Sequence, residues 1–186
     1  MKSALILIDI QNDYFPGGAC ELFQPEQAAI KAKQVLEYFR EHDMPVCHVQ
    51  HISNYPGANA YIQGSKGAEI HPLVAPVGNE KVYIKHAPNS FFQTGLADDL
   101  LKQGINNLIV CGMMSHMCVD TSVRAAKDYG FTITVIDDAV TTMNLSRNGT
   151  MIPAATVHDV IMASIKGVFA KVITADEFIN NTKDYI

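Results

Sequence analysis

Three side chains stand where an alternating strand and helix chain keeps its chemistry. Asp9 directly follows the apolar run Ser3 to Ile8, Lys85 closes the short run Val82 to Lys85, and Cys118 lies a few residues beyond the run Leu108 to Cys111. A carboxylate, an ammonium and a thiol can supply the base, the balancing cation and the nucleophile of covalent catalysis. A carboxylate straight after an apolar strand is costly to desolvate, and a nearby ammonium lowers that cost for both groups. In Gly112-Met-Met-Ser-His-Met-Cys118-Val the thiol follows a strand-to-helix turn, where first-turn amides and the helix dipole favour the thiolate. Those unpaired N–H groups are also suited to holding an oxyanion. Each residue has a plainer reading beside this one: a turn cap for Asp9, a solvated Lys85, an inert buried thiol for Cys118.

The elements that must position these groups are legible as apolar runs and periodic segments. Ser3–Ile8 reads as a strand buried on both faces. Pro25 opens a helix with apolar positions Ala28, Ala29, Ala32, Val35, Leu36 and Phe39, ending near His42. Strands are predicted at Pro45 to Val49, Val82 to Lys85, Leu108 to Cys111, Phe131 to Ile136 and Phe169 to Ile173, with helices at about 96–104, 117–129 and 153–166. Thr174-Ala-Asp-Glu177 has capping-box spacing and starts a last short helix. Six strands alternating with helices predict an α/β fold with a mainly parallel sheet, as one domain over 1–186. In such sheets the ligand site lies beyond the carboxyl ends of the strands, which is where Asp9, Lys85 and Cys118 fall. Residues 52–79 carry no sustained period, and a loop of that length is usually functional, which suggests a substrate lid or a subunit contact.

Composition excludes several classes. The 186 residues include 14 basic and 19 acidic side chains, a net charge of −5, and no basic stretch interleaved with aromatics, so a nucleic-acid partner is not expected. The apolar N-terminal run is too short for a membrane span or signal peptide, and a cytoplasmic protein is expected. Charged residues make up 18% of the chain, below the roughly 25% of typical soluble domains; a large buried fraction or a docked subunit would account for that. Cys20, Cys47, Cys111 and Cys118 form no CxxC pair and read as reduced thiols, with Cys47 and Cys111 in the core.

Other constellations carry less. The seven histidines include no HExxH, and no metal is expected, although His51 and His71 both flank the long loop. His116 is two residues from Cys118, a spacing that does not make a dyad on a helix, and His48 reads as a core residue. Gly17-Gly18 is not a phosphate-binding motif, so no nucleotide cofactor is expected.

Taken together, Asp9-Ile-Gln-Asn-Asp-Tyr-Phe15, the Lys85 strand end, Gly112 to Ala126 and Gly130 to Ala139 resemble the isochorismatase-like cysteine hydrolases, a family of nicotinamidases, carbamoyl-amide hydrolases and isochorismatases. The resemblance spans nearly the whole chain. It implies a three-layer α/β/α fold with sheet order 3-2-1-4-5-6, a triad of Asp9, Lys85 and Cys118, a cis peptide between Met113 and Met114, and an oxyanion hole from the amides of Met114 and Cys118. It also implies homodimers or homotetramers, a small-molecule amide or carbamoyl substrate and a thioester intermediate. Gln11, Tyr14, His51, Tyr55 and Tyr61 are the candidate substrate-binding residues.

Departures from the family narrow the reading. His48-Val-Gln-His51 lacks the Asp-x-His spacing of metal-binding nicotinamidases, and Cys118 points away from true isochorismatases. A catalytically silent, small-molecule-binding homologue is the alternative of another class. A phosphoacceptor receiver domain would need an acidic residue where Lys85-His86-Ala87 stands.

Overall fold

Every residue of Ser3–Ile8 is buried, because this strand, β1, lies inside a sheet with helices on both faces. The computed structural model describes residues 1–186. In chain order the strands are β1, β2 (Val46–His51), β3 (Lys81–Lys85), β4 (Asn107–Met113), β5 (Thr132–Thr141), β6 (Leu145–Arg147), β7 (Thr150–Ile152) and β8 (Lys171–Ile173). The helices are α1 (Pro25–Glu41), α2 (Leu96–Lys102), α3 (Asp120–Asp128), α4 (Ala154–Ile165) and α5 (Ala175–Asn180). Six strands form one parallel sheet, ordered β3-β2-β1-β4-β5-β8. This is the expected order, the predicted sixth strand being eighth in the chain because a hairpin precedes it.

Alternation along the strands divides the core into two layers. Ala4, Ile6, Ile8, Leu108 and Val110 pack with Leu96, Leu100, Val123 and Met162 of α2, α3 and α4. Leu5, Leu7, Ile109 and Cys111 face Val35, Leu36, Phe39 and Phe178 of α1 and α5. The Thr174 hydroxyl accepts from Glu177 N–H at 3.1 Å, the cap its spacing predicts for α5.

Two elements depart from expectation. The predicted strand ending at Ile136 continues to Thr141, through Asp137-Asp138. A register shift between Val110 and Gly112 bends the pairing of β4 with β5, and the two carboxylates reach His158 Nε2 and Ala175 N–H, at 2.8 and 2.7 Å. The hairpin β6-β7 has no counterpart among the predicted strands. It turns at Asn148-Gly149, both with positive φ, and Asn-Gly is the sequence signal that announces such a turn.

Segment 52–79 is fixed rather than free. Asn12 and Asp13 N–H donate to the carbonyls of Glu69 and Gly67, and His71 N–H to that of Ile10. Arg40 on α1 clasps the end of the segment, its Nε and Nη2 each 2.7 Å from Glu80 carboxylate oxygens, while His48 Nε2 lies 2.8 Å from Glu80 Oε2. His48 is thus a core residue, as expected.

Candidate active site

Parallel strands end together, and the carboxyl ends of β1, β3 and β4 bring the three predicted groups into contact. Lys85 Nζ lies 2.8 Å from Asp9 Oδ2 and 3.1 Å from Cys118 Sγ, to which it donates. The ammonium also donates to Ala87 O at 2.9 Å, and His51 Nδ1 lies 3.3 Å away. Asp9 and Lys85 have no exposed side-chain surface. Neither carboxylate oxygen of Asp9 makes a hydrogen bond of good angle, although Oδ2 is in close ionic contact with Lys85. Oδ1 is therefore left to act on another group.

The backbone is shaped for this meeting. Asp9 has φ +51°, a left-handed conformation that a non-glycine residue adopts only when its surroundings enforce it. Its N–H donates to Val49 O and its own carbonyl accepts from Gln11 N–H, so the strained residue is tied on both sides. Gly112 has φ +143°, and a Cβ there would meet Ile8 O at 2.2 Å. Only glycine lets β4 pass so close to the residue before Asp9. The Met113-Met114 peptide is cis, and Met114 N–H makes no hydrogen bond within the chain.

Cys118 lies on a π-helical turn, Ser115–Val119, in place of the first turn of the predicted helix 117–129; the α-helix itself starts at Asp120. Val119 N–H donates to Met114 O, five residues back, and π turns of this kind recur at functional sites. The expected thiolate is corrected. Burial pushes the Cys118 thiol well up and the Asp9 carboxylate adds to this, against the pull of Lys85. The resting sulfur is a thiol that needs a base. Burial also raises Asp9, opposed by the Lys85 charge; for Lys85 itself burial lowers the pKa, but Asp9 and Cys118 more than offset this and raise it.

Of the other predicted residues, three gather around this centre. Tyr14 is buried, and burial with Tyr61, Asp9 and Cys118 as neighbours raises its phenol well above the ordinary value. Tyr61 stands 5.3 Å from Tyr14 and 5.3 Å from His51, ring centre to ring centre. His51 is held down to about 4 by burial and by Lys85, so it is neutral at physiological pH. Gln11 is differently employed: its Nε2 donates to His51 O and Ala68 O and its Oε1 accepts from His51 N–H. Its side-chain amide is spent on tying the end of β2 to Ala68 in the long segment. Tyr55 is 76% exposed, away from the buried group.

His71 stacks on Phe15 at 3.7 Å and its Nδ1 accepts from Leu73 N–H, while His51 turns to Lys85; no group of three His, Cys, Asp or Glu side chains is arranged to hold a metal ion. His116 faces Thr142 Oγ1. Sequence reasoning missed Asp13, whose carboxylate accepts from Tyr61 N–H at 2.6 Å and Ala19 N–H at 3.3 Å. Its place in the segment after Asp9 was the available signal. Cavities of about 460, 560 and 900 Å³ lie elsewhere and include none of Asp9, Lys85 and Cys118. The chemistry-bearing groups are more enclosed than any of these surfaces.

A parallel sheet of this order, with a buried carboxylate, ammonium and thiol at its carboxyl edge, defines an isochorismatase-like architecture. The chain belongs to the isochorismatase family: the family model for the isochorismatase domain matches residues 3–177. It is similar to the uncharacterized isochorismatase family protein YddQ of Bacillus subtilis, 45% identical over 179 residues that cover 96% of this chain and 99% of that protein. A streptothricin hydrolase of Streptomyces noursei is 30% identical over 94% of this chain and 60% of its own length. Among solved structures, an isochorismatase from Pseudomonas putida superposes with a TM-score of 0.89 at 34% identity, covering 95% of this chain and 89% of the other. A nicotinamidase of Escherichia coli is 26% identical over 76% of this chain and 84% of its own length.

Proposed function

We propose that this chain is a cysteine amidohydrolase whose triad is Asp9, Lys85 and Cys118. The observation that carries the reading is the single ammonium, 2.8 Å from the Asp9 carboxylate and 3.1 Å from the Cys118 sulfur. As the amide carbonyl approaches, Asp9 takes the thiol proton and the sulfur bonds to the carbonyl carbon. Lys85 balances the charge that moves between carboxylate and sulfur. The tetrahedral oxyanion is held by the amides of Met114 and Cys118; the unbonded Met114 N–H supports this. Protonated Asp9 then gives its proton to the leaving ammonia or amine, and the C–N bond breaks to leave a thioester. Asp9 next takes a proton from water, whose oxygen attacks the thioester; the C–S bond breaks, Asp9 returns the proton to the sulfur, and the acid departs.

In this reading the enzyme needs no metal or cofactor. It works as one domain, in the cytoplasm, as a homodimer or homotetramer, on a small amide or carbamoyl compound. Enclosure of the triad favours a small substrate, with Tyr14, Tyr61 and neutral His51 as its nearest contacts. Ammonia release from a panel of primary amides, nicotinamide, biuret-like and ureido compounds tests the reading. Turnover is expected with at least one of these, together with an acyl adduct on Cys118 by intact-mass spectrometry, and Cys118→Ala abolishes both. Hydrolysis retained by Cys118→Ala defeats the proposal.

A further inference from the structure

A second chain of polar groups reaches the nucleophile turn from its other side. Ser115, the first residue of the π-helical turn, has its Oγ 3.2 Å from His158 Nδ1, and His158 Nε2 lies 2.8 Å from Asp137 Oδ1. The Ser115 hydroxyl also donates to Thr141 O at 3.4 Å. The serine belongs to the turn, the histidine to α4 and the aspartate to β5. In order and spacing this is a nucleophile, base and orienter, but the burial runs the wrong way for a serine hydrolase. Ser115 is wholly buried, whereas Asp137 and His158 line a cavity of about 460 Å³ with Lys31 and Asp138.

We infer that His158 is a positioning residue for the proposed reaction, held by Asp137 and acting through Ser115 on the turn that carries Cys118. The inference rests on Cys118 being the nucleophile. Met114 immediately precedes Ser115 and Cys118 follows three residues later, so a shift of Ser115 moves both the unbonded amide and the sulfur. The carboxylate of Asp137 only accepts, which places a proton on His158 Nε2. In the neutral ring Nδ1 is then an acceptor and takes the Ser115 hydroxyl proton. In the imidazolium Nδ1 donates to Ser115 Oγ, and the hydroxyl proton turns to Thr141 O. In both forms Ser115 stays hydrogen-bonded to the ring, and in neither is it free to attack a substrate.

Alkylation of Cys118 by iodoacetamide, followed by mass spectrometry of the Cys118 peptide, tests this whatever the substrate is. His158→Ala is expected to slow the alkylation about tenfold, a loss smaller than the roughly hundredfold that a misplacement of about 1 Å costs. Added imidazole, entering the space vacated beside the cavity, restores the rate. His158→Gln stays close to the wild type, because its Nε2–H can donate to Asp137 while its Oε1 accepts from Ser115. An unchanged rate in His158→Ala, or a slowing that neither imidazole nor glutamine reverses, overturns the inference while leaving the nucleophile in place. A wild-type protein that is not alkylated at Cys118 instead overturns the reading of the nucleophile, and this inference with it.

Discussion

A buried carboxylate, an ammonium and a thiol in mutual contact set each other's charge states, and the pH dependence of this site follows from that at the level of single residues. The Asp9 carboxyl is raised above its ordinary 3.8 because burial outweighs Lys85, and in the proposed mechanism it must be ionised to take the thiol proton. Reactivity is therefore lost as pH falls through a pKa above the ordinary aspartate value. Iodoacetamide alkylation of Cys118 measured across pH is expected to show that acid limb; a limb at or below 3.8 contradicts the assignment of Asp9. His51, held to about 4 by burial and by Lys85, is neutral at pH 7. Asp9, Lys85 and Cys118 stand out in the sequence by their places at or beyond the carboxyl ends of apolar runs, and the structure brings them into contact. The state of the thiol was not legible there. Helix-end reasoning favours a thiolate, but burial and the Asp9 charge are tertiary effects, and they are larger.

Elements fix the site by tying the long segment to the sheet. Glu80 is the clearest case: burial alone would raise its carboxyl, but two bonds from Arg40, the Val77 N–H and His48 bring it down to about 2. A depressed folded pKa means that its stabilisation is complete above the ordinary 4.5 and is lost as pH falls towards 2. Glu80→Gln is expected to lower unfolding free energy at pH 7 by about 1–3 kcal/mol, the scale of hydrogen bonds to a charged group. Urea titrations of the two proteins should draw together as pH drops from 4.5 towards 2; a gap constant with pH rules the clasp out. The segment itself was recognisable as exceptional by its lack of period, but its path was not. That path depends on Gln11, Asn12 and Asp13 bonding to backbone some fifty residues away, and no local pattern encodes such partners. Gln11 is polar and two residues from Asp9, but its side chain bonds to His51 and Ala68 backbone, partners that its local sequence does not encode.

At the scale of the whole molecule, the low charge content finds one of its two causes in the sheet. Helices cover both faces, and two apolar layers of 24 and 22 buried residues lie between them and the strands, so apolar sequence is consumed twice over. Phe178 belongs to the layer beneath α1 and α5, whereas Cys118 packs in the other layer. Phe178 is completely buried, stacked on Phe39 at 6.2 Å and edge-on to Tyr38 at 5.7 Å. Phe178→Ala is expected to cost about 3–5 kcal/mol through lost burial and the cavity left behind. For a chain of this length that lowers Tm by roughly 10 °C, while Cys118 alkylation at about 25 °C is unchanged. A melting temperature equal to the wild type contradicts this picture of the layer.

The sequence by itself determined the alternating fold, the parallel sheet, its strand order through the family resemblance, and the three residues at its carboxyl edge. The strand order apart, these follow from apolar periodicity and from where charged and nucleophilic side chains interrupt it, both of which are written locally. Tertiary structure alone decided that Lys85 bridges Asp9 and Cys118, that Gln11 is structural and Tyr55 peripheral, and that β5 runs on through two aspartates to meet His158 and the start of α5. Those outcomes are set by distances between residues far apart in the chain. A one-dimensional pattern shows which groups are costly to bury, while only the folded geometry shows which partners make up for the cost.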